Sequence, residues 1–391
     1  MAMAPVREDV TVHQMIDNPY PVYRQMRAET PVVQVPSVKR TLLTKAADCR
    51  HVKDHPELFS SNDPSTPMEK AFEAHTLMRK DGAEHLAERN AMMPTFSPRN
   101  LKTIWGPMYE RLAEEYLDRL PKTEVIDLFP MLAGPLAARI LAETMGMPDA
   151  SDEEMQHWSQ ALIDGAGNFG WFDEPFERVA KANVAMNANI AANEKRLRDA
   201  PDQSALSVMI HAENPIPRSQ IVANIKIAIG GGINEPRDAA LTILYGLLSN
   251  PGQLEEIKAS GNWQAAFEEG VRWVAPIQVS SRLVLEDTEI RGCDIPKGTV
   301  LMTCQASANH DEEVFEDGHL YNALRKPAPH QSFGSGPHHC MGTHMARMMV
   351  GRTLIPMIFD KFPNMRLVEP ESVVWKGFGF RGPLNLPVRL T

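Results

Sequence analysis

Apolar residues recur three and four positions apart from Met108 to Leu120 and again from Leu132 to Met145, a spacing that predicts two amphipathic helices. A longer run, Ile221 to Leu248, is apolar nearly all round at both ends and predicts a buried helix. Short β-branched and apolar stretches near Pro31–Val35, Thr41–Leu43, Ser281–Leu285, Thr299–Thr303 and Leu384–Leu390 predict strands. Pro64, Pro67, Pro201, Pro215 and Pro217 mark loops. The pattern is mainly α with a small β-rich part. No Gly/Ser linker, low-complexity block or internal repeat interrupts it, so a single catalytic domain over 1–391 is expected, although length alone would favour more.

Composition narrows the function classes. A net charge of −10 argues against nucleic acid, which demands clustered Lys and Arg. Four cysteines in 391 residues do not form a disulfide framework, and a reducing compartment is expected. Residues 1–17 are polar and broken by Pro5, with no apolar core of signal or anchor length. Apolar runs elsewhere meet Gly, Pro or charge within 18 residues, so no membrane span is expected. A cytoplasmic enzyme follows as the expectation.

The chemistry concentrates in Phe333 to Gly342, which reads Phe-Gly-Ser-Gly-Pro-His-His-Cys-Met-Gly. Gly334, Gly336 and Gly342 allow turns that a side chain would block. A helix-like run, Thr343 to Met357, follows; its free N–H groups and positive dipole end would face Cys340 and favour the thiolate, the metal-binding form. Cys49, Cys293 and Cys304 make no CxxC pair for zinc and no CxxCH for covalent haem. A lone cysteine is by default an inert buried residue. The surrounding pattern, Phe-Gly-x-Gly-x-His-x-Cys-x-Gly, reverses that default.

This string resembles the haem-thiolate loop of the cytochromes P450, and further matches run from about residue 18 to 388 in family order. Glu269-Gly270-Val271-Arg272 is similar to the family's Glu-x-x-Arg, and the segment from Ala308 to Arg325 to the one supplying the third member of that ion network. Asp81-Gly82-Ala83-Glu84-His85 with Arg89 resembles the helix that grips a haem propionate; Asn18-Pro19-Tyr20 with Tyr23, and Arg381-Gly382-Pro383, fit the two ends. The resemblance implies the triangular haem-thiolate fold and non-covalent haem b, with Cys340 as axial thiolate pushing electron density onto iron. It implies a cofactor socket of His85, Arg89, Arg282 and His338 for the propionates, with Phe333 and Gly334 in the ligand loop. Arginine suits a propionate because its planar fork makes two bonds to a carboxylate. Taken singly these are ordinary surface residues; only registration with the motif lifts them. Glu269, Arg272 and Arg325 are implied as a buried charged scaffold with no part in the chemistry.

One segment departs from the family. The acid and threonine of the long central helix fall here on Asn234 and Glu235, within Gly230-Gly231-Gly232-Ile233-Asn234-Glu235-Pro236. Pro236 lacks an N–H and would clash with the carbonyl of Gly232, so a kink or opened turn is expected over the iron. A solvent-facing Glu235 is the bland alternative; the sharper one is that a buried Glu235 relays protons, its pKa raised by desolvation, while Asn234 orients water. The Glu-Pro pair and the tail Trp375 to Pro383 are similar to those of two-component bacterial enzymes that O-demethylate small methoxylated aromatics.

By family order Phe169, Trp171 and Phe172 form a lid, and Ile233, Ile277, Val279 and Phe380 are further substrate-pocket candidates, with ordinary packing as the alternative for each. No basic residue is assignable to the distal side, so a small apolar or phenolic substrate is expected. The implied reaction is dioxygen activation with two electrons from a separate ferredoxin or a flavin/iron–sulfur reductase, hydroxylating or O-demethylating that substrate. The partner would dock near Arg89, Arg99, Lys102 and Arg347. A peroxide-using peroxygenase working through Glu235 is the rival enzyme, and a non-catalytic haem sensor the rival from another class.

Overall fold

The computed structural model describes residues 2–121 and 125–391. Met1, the first residue of the polar amino-terminal stretch, lies outside them. The helices that carry the argument are α1 (Ala46–Asp54), α2 (Met68–Phe72), α3 (Gly82–Met92), α4 (Gly134–Met145), α5 (Asp152–Ala166), α6 (Asp173–Asp199), α7 (Arg218–Gly232), α8 (Asn234–Leu248) and α9 (Trp263–Val274). The strands of the largest sheet are β1 (Val32–Val35), β2 (Arg40–Leu43), β3 (Phe59–Ser60), β4 (Val279–Val284) and β5 (Val300–Cys304). They form one mixed sheet in the order β1-β2-β5-β4-β3, in which only β2 and β5 run parallel. The four strand runs expected before residue 304 are therefore present, and the fifth is the short strand Pro387–Arg389.

Two compact units divide the chain, each assembled from three segments. The first, Met1–Pro64, Leu241–Cys340 and Glu369–Leu384, holds the five-stranded sheet. Its core brings Val32, Leu43, Cys49, Val52, Phe59, Val284 and Leu301 together, so the inner sheet face closes on α1. The second, Ser65–Ala240, Met341–Val368 and Asn385–Thr391, is chiefly helical. Its core gathers Phe72, Leu141, Trp158, Leu162, Phe176, Met186, Ile225, Ile229 and Ile233 from α2 and α4 to α7.

The expected helices appear with one consistent modification. The run expected from Met108 is Gly106–Asp118, preceded by a π-helical stretch Leu101–Trp105; the run from Leu132 is α4, preceded by Phe129–Ala133. The run after the cysteine begins at Thr343–Ala346, widens over Arg347–Leu354 and ends as Ile355–Lys361. Each wide stretch ends two residues before a proline, at Pro107, Pro135 and Pro356. Proline removes the i→i−4 donor and crowds the carbonyl below it, and a π turn accommodates both. The long central run likewise breaks. Ile233 leaves helical geometry, with φ −113° and ψ −57°, between α7 and α8. Its cause is Pro236, as the sequence predicts.

Candidate active site

The cysteine loop is built by glycine. Gly334 and Gly336 have φ of +70° and +65°, the left-handed region that a side chain disfavours. At Gly336 a Cβ would also lie 2.4 Å from the Lys53 carbonyl oxygen, so the loop is seated on the last turn of α1 by backbone contact. The Gly334 N–H donates to Gln331 O at 2.9 Å and the Cys340 N–H to Phe333 O at 2.9 Å. Phe333 stacks on Phe267 of α9, with ring centroids 6.3 Å apart. Cys340 emerges exposed at the loop's end, whereas Cys49 and Cys304 are buried and burial pushes both thiols up, Cys49 to about 12. An exposed cysteine in a backbone-built turn beside two inert ones is a donor suited to a metal.

The ion network predicted from Glu269, Arg272 and Arg325 is assembled within the first unit. Arg272 makes two 2.7 Å bonds to the Glu269 carboxylate, and its remaining N–H groups donate to the carbonyls of Asn309, Gly318 and Leu320. Arg325 approaches Glu269 at 3.4 Å, and the Asn322 N–H donates to the same carboxylate. Every donor of Arg272 is used, the condition on which a buried pair is tolerated. Gly270 between them lets α9 press on α8: a Cβ there would meet Ile243 Cγ1 at 2.3 Å.

The four expected propionate binders fall in different places. His85 and Arg89 are one turn apart on α3 in the second unit, His85 buried and Arg89 half-buried. Arg282, on β4, and His338, in the 3₁₀ turn Gly336–His338, belong to the first unit. Lys53 of α1 lies within reach of Arg282's charge, and burial among apolar neighbours lowers its pKa to about 7. Its ammonium has no hydrogen-bond partner among the described residues. No sequence pattern marks it, since one lysine at a helix end reads as surface.

At the helix break, Glu235 and Asn234 open α8. Both Glu235 carboxylate oxygens are buried without a protein partner, and burial raises the pKa to about 8, with the nearby Asp238 charge adding to it. The solvent-facing alternative is thereby excluded for the carboxyl group. Asn234, expected to orient water, also anchors the chain: its Nδ2 donates to Ser159 Oγ of α5 at 3.1 Å, and that hydroxyl donates to Gly230 O at 3.3 Å. The amide therefore ties the break to α5, with only its Oδ1 left without a partner. One turn on, Arg237 and Asp238 form a buried pair at 2.7 Å, with the guanidinium over Phe129.

The lid residues are held by an amide that sequence reasoning missed. Buried Asn168 donates to Phe172 O and accepts from Phe172 N–H, closing the turn that carries Trp171 at φ +55°. Trp171 leans on Phe176, over which Lys70 of α2 sits at 3.8 Å. Phe169 is half-buried, whereas Phe172 is 70% exposed. Ile233 is wholly enclosed in the second unit's core. In the first unit Ile277 and Phe380 face each other across a β-bridge, with Val279 beginning β4 beside them. Besides Arg237, Lys226 of α7 is buried in the helical unit, where Glu73 pairs with it at 2.8 Å. No helix among the described residues is long and apolar enough to cross a membrane.

Residues 263–362 match the family model for cytochrome P450. Over nearly its whole length the chain is similar to the polyketide biosynthesis cytochrome P450 PksS of Bacillus subtilis, 26% identical over 400 residues and covering 96% of each chain. It is 27% identical to linalool 8-monooxygenase of Pseudomonas putida over 393 residues, covering 95% of each. Among solved structures it superposes on P450BioI in complex with an acylated acyl carrier protein with a TM-score of 0.88, at 21% identity, covering 97% of this chain and 100% of that one. The chain has the cytochrome P450 fold, and the family model and the full-length relatives support a haem-thiolate monooxygenase whose cofactor is haem b with a cysteine thiolate ligand.

Proposed function

We propose that this monooxygenase hydroxylates or O-demethylates a small apolar or aromatic substrate, with Cys340 as the axial thiolate and Glu235 as the group that hands on protons. The observation that carries the reading is the Glu235 carboxyl: buried, without a protein partner, and set in a break of an otherwise apolar helix. Such a group costs stability unless it has work to do. Both units contribute to one catalytic domain in this reading, since each is threaded from three interleaved segments of the chain.

When bound, the haem supplies the one-electron and dioxygen chemistry. Cys340 would hold the iron, Phe333 and Gly334 would shape the ligand turn, and His85, Arg89, Arg282 and His338 would hold the propionates. The net reaction joins substrate, dioxygen, two electrons and two protons to give hydroxylated substrate and water. Glu235, protonated below about pH 8, gives up a proton at its carboxyl oxygen and regains one from water. Ile277, Val279 and Phe380 of the first unit, and separately Phe169 and Trp171 of the second, are apolar groups suited to contact such a substrate. Hydroxylation of a methyl-ether carbon would release formaldehyde and leave a phenol. Electrons come from a separate ferredoxin or flavin/iron–sulfur reductase, attracted by Arg89, Arg99, Lys102 and Arg347, which all belong to the second unit.

A second reading, peroxide-driven turnover, is favoured by the carboxyl that stands where the family carries threonine, because a neutral buried acid can serve peroxide as acid and then base. The test separates the two. Glu235→Gln should keep haem content and substrate-induced spectral shifts. With a reductase it should lower product per electron about tenfold and raise hydrogen peroxide release. A larger loss with peroxide than with reductase would favour the peroxygenase; equal rates and coupling with both oxidants would remove Glu235 from the mechanism. Cys340→Ser should abolish the red-shifted absorption of the reduced carbon monoxide complex, and an unchanged spectrum would refute that ligand.

A further inference from the structure

Lys53 is a buried cation to which the described part of the chain supplies no counter-charge. The residue is 3% exposed, and its Nζ has no hydrogen-bond partner among the described residues. Arg27, Lys45, Arg272 and Arg381 of the same unit are buried alike, yet each bonds carboxylate or carbonyl oxygens. Around Lys53 the charges have the wrong sign or are missing. Burial weighs most against its ammonium, and the positive Arg282 of β4 adds to that. Cys49 on α1 and Cys304 at the end of β5 stand near, but burial pushes both thiols up, so neither is anionic at neutral pH. Asp54, the next residue, is exposed and is the weakest of these influences. The Lys53 carbonyl oxygen lies 2.4 Å from where a Cβ on Gly336 would stand, at the start of the turn that carries His338. One end of the residue thus touches the turn of His338, and the other feels the charge of Arg282, the two propionate binders expected in this unit. An unpaired buried ammonium is costly, and a methionine of similar length would avoid the cost.

We propose that Lys53 is a further cation of the haem socket, its ammonium bonding a propionate carboxylate alongside Arg282 and His338. The cofactor brings two carboxylates to a largely apolar site, and each needs a counter-charge there. A guanidinium meets a carboxylate in its own plane, whereas an ammonium is a point charge whose three donors turn freely. The two can therefore serve one carboxylate through different lone pairs. Haem gives Lys53 the partner that the polypeptide lacks, and the cost of burying the ammonium becomes affinity for the cofactor. The linkage runs both ways. Bound propionate keeps the proton on Lys53 above the pH, about 7, at which the haem-free chain would lose it. Binding above that pH must take up a proton, so haem is held less tightly as pH rises. The inference rests on the propionate reading of Arg282 and His338, and Lys53 takes no part in the oxygen chemistry.

The experiment follows haem leaving the ferric holoenzyme. An excess of apomyoglobin captures released haem, and the transfer rate is read optically at about pH 6.5 and about pH 9. Lys53→Met should release haem at least about tenfold faster than wild type at the lower pH, the size of a lost charge-assisted hydrogen bond. Lys53→Arg, which keeps the charge, should stay within about threefold of wild type. Wild type should quicken as pH rises and approach Lys53→Met, whose own rate changes less. The propionate bending band in the resonance Raman spectrum is a readout that lost packing does not move. It should shift in Lys53→Met and stay in Val52→Ala, a change in the neighbouring core of α1. Lys53→Gln repeats both measurements should Lys53→Met not fold. An unmoved band in Lys53→Met, whatever its release rate, would overturn the pairing, and so would release from Lys53→Arg as fast as from Lys53→Met. Arg282→Met separates this failure from that of the socket. Fast release from Arg282→Met with wild-type release from Lys53→Met would keep the socket and sink Lys53; wild-type release from both would sink the propionate reading as well.

Discussion

Two buried ionisable residues define the chemistry at the residue scale, and each makes a prediction through its proton. Free in the unfolded chain, Glu235 titrates near 4.5; folded, it holds its proton up to about pH 8 because burial penalises the carboxylate. Between those values the folded state binds the extra proton, so its contribution to stability falls as pH rises through that window, by up to about 1.4 kcal/mol per unit. Glu235→Gln should flatten this fall, and the two proteins should diverge most above pH 8 in chemical denaturation at matched haem content. A parallel pair of pH curves would mean that the carboxyl is solvated. Lys53 runs the other way. Its folded pKa, lowered to about 7 from 10.5, means that the unfolded chain binds more protons between those values, so stability rises with pH across that range. In the haem-free chain Lys53→Met should raise the melting temperature at pH 7 by several degrees and remove that rise. No gain there would show that the ammonium has a partner within the polypeptide.

Glycines decide how closely the chain approaches itself at the scale of elements. Gly336 combines φ +65° with a Cβ position 2.4 Å from the Lys53 carbonyl oxygen, a backbone atom that cannot swing aside. Gly336→Ala should therefore push the Cys340 loop off α1, and the purified protein should carry less than about half the wild-type haem. Gly231→Ala meets open space and exchanges glycine for a better helix former, so it should be neutral or stabilising by up to about 1 kcal/mol. Gly270→Ala should destabilise by about 1–3 kcal/mol, since Ile243 Cβ and Cα stand within 3.4 Å of the added methyl. Thermal melts of the two helix variants side by side test the contrast. If both shift alike, the pressed contact of α9 on α8 is not real.

The whole molecule carries a net charge of −10, yet Arg99 and Lys102 are exposed on the second unit, with Arg89 and Arg347 half-buried in the same unit. An acidic redox partner would be drawn to such residues against the background field, an attraction that salt screens within about 10 Å at 0.1 M. Reductase-driven turnover should fall as ionic strength rises. Arg99→Glu with Lys102→Glu should lower the second-order rate about tenfold without altering the carbon monoxide spectrum. A rate indifferent to both would remove the electrostatic docking.

The class was legible from residues close together in the chain. Local patterns sufficed: six fixed residues including Cys340 specify a glycine turn, the spacing Glu-x-x-Arg puts two charges on one helix face, and Pro236 is tolerated only in a helix's first turn, so a break must fall just before it. Period also placed the helices, since it acts within four residues, whereas the wide turns ahead of Pro107, Pro135 and Pro356 went unread. Environment, by contrast, came from packing. Whether Glu235 faces water or the interior depends on what covers α8, and Asn234 became a tie because Ser159 of α5 lies beside it. Lys53, Asn168 and the Lys226–Glu73 pair carry no motif, and each is an ordinary residue type at an ordinary spacing. Their meaning comes from burial and from partners far away in the chain, such as Glu73, 153 residues before Lys226. Pairing and desolvation over that range are properties of the packed core, and no window of neighbouring residues contains them.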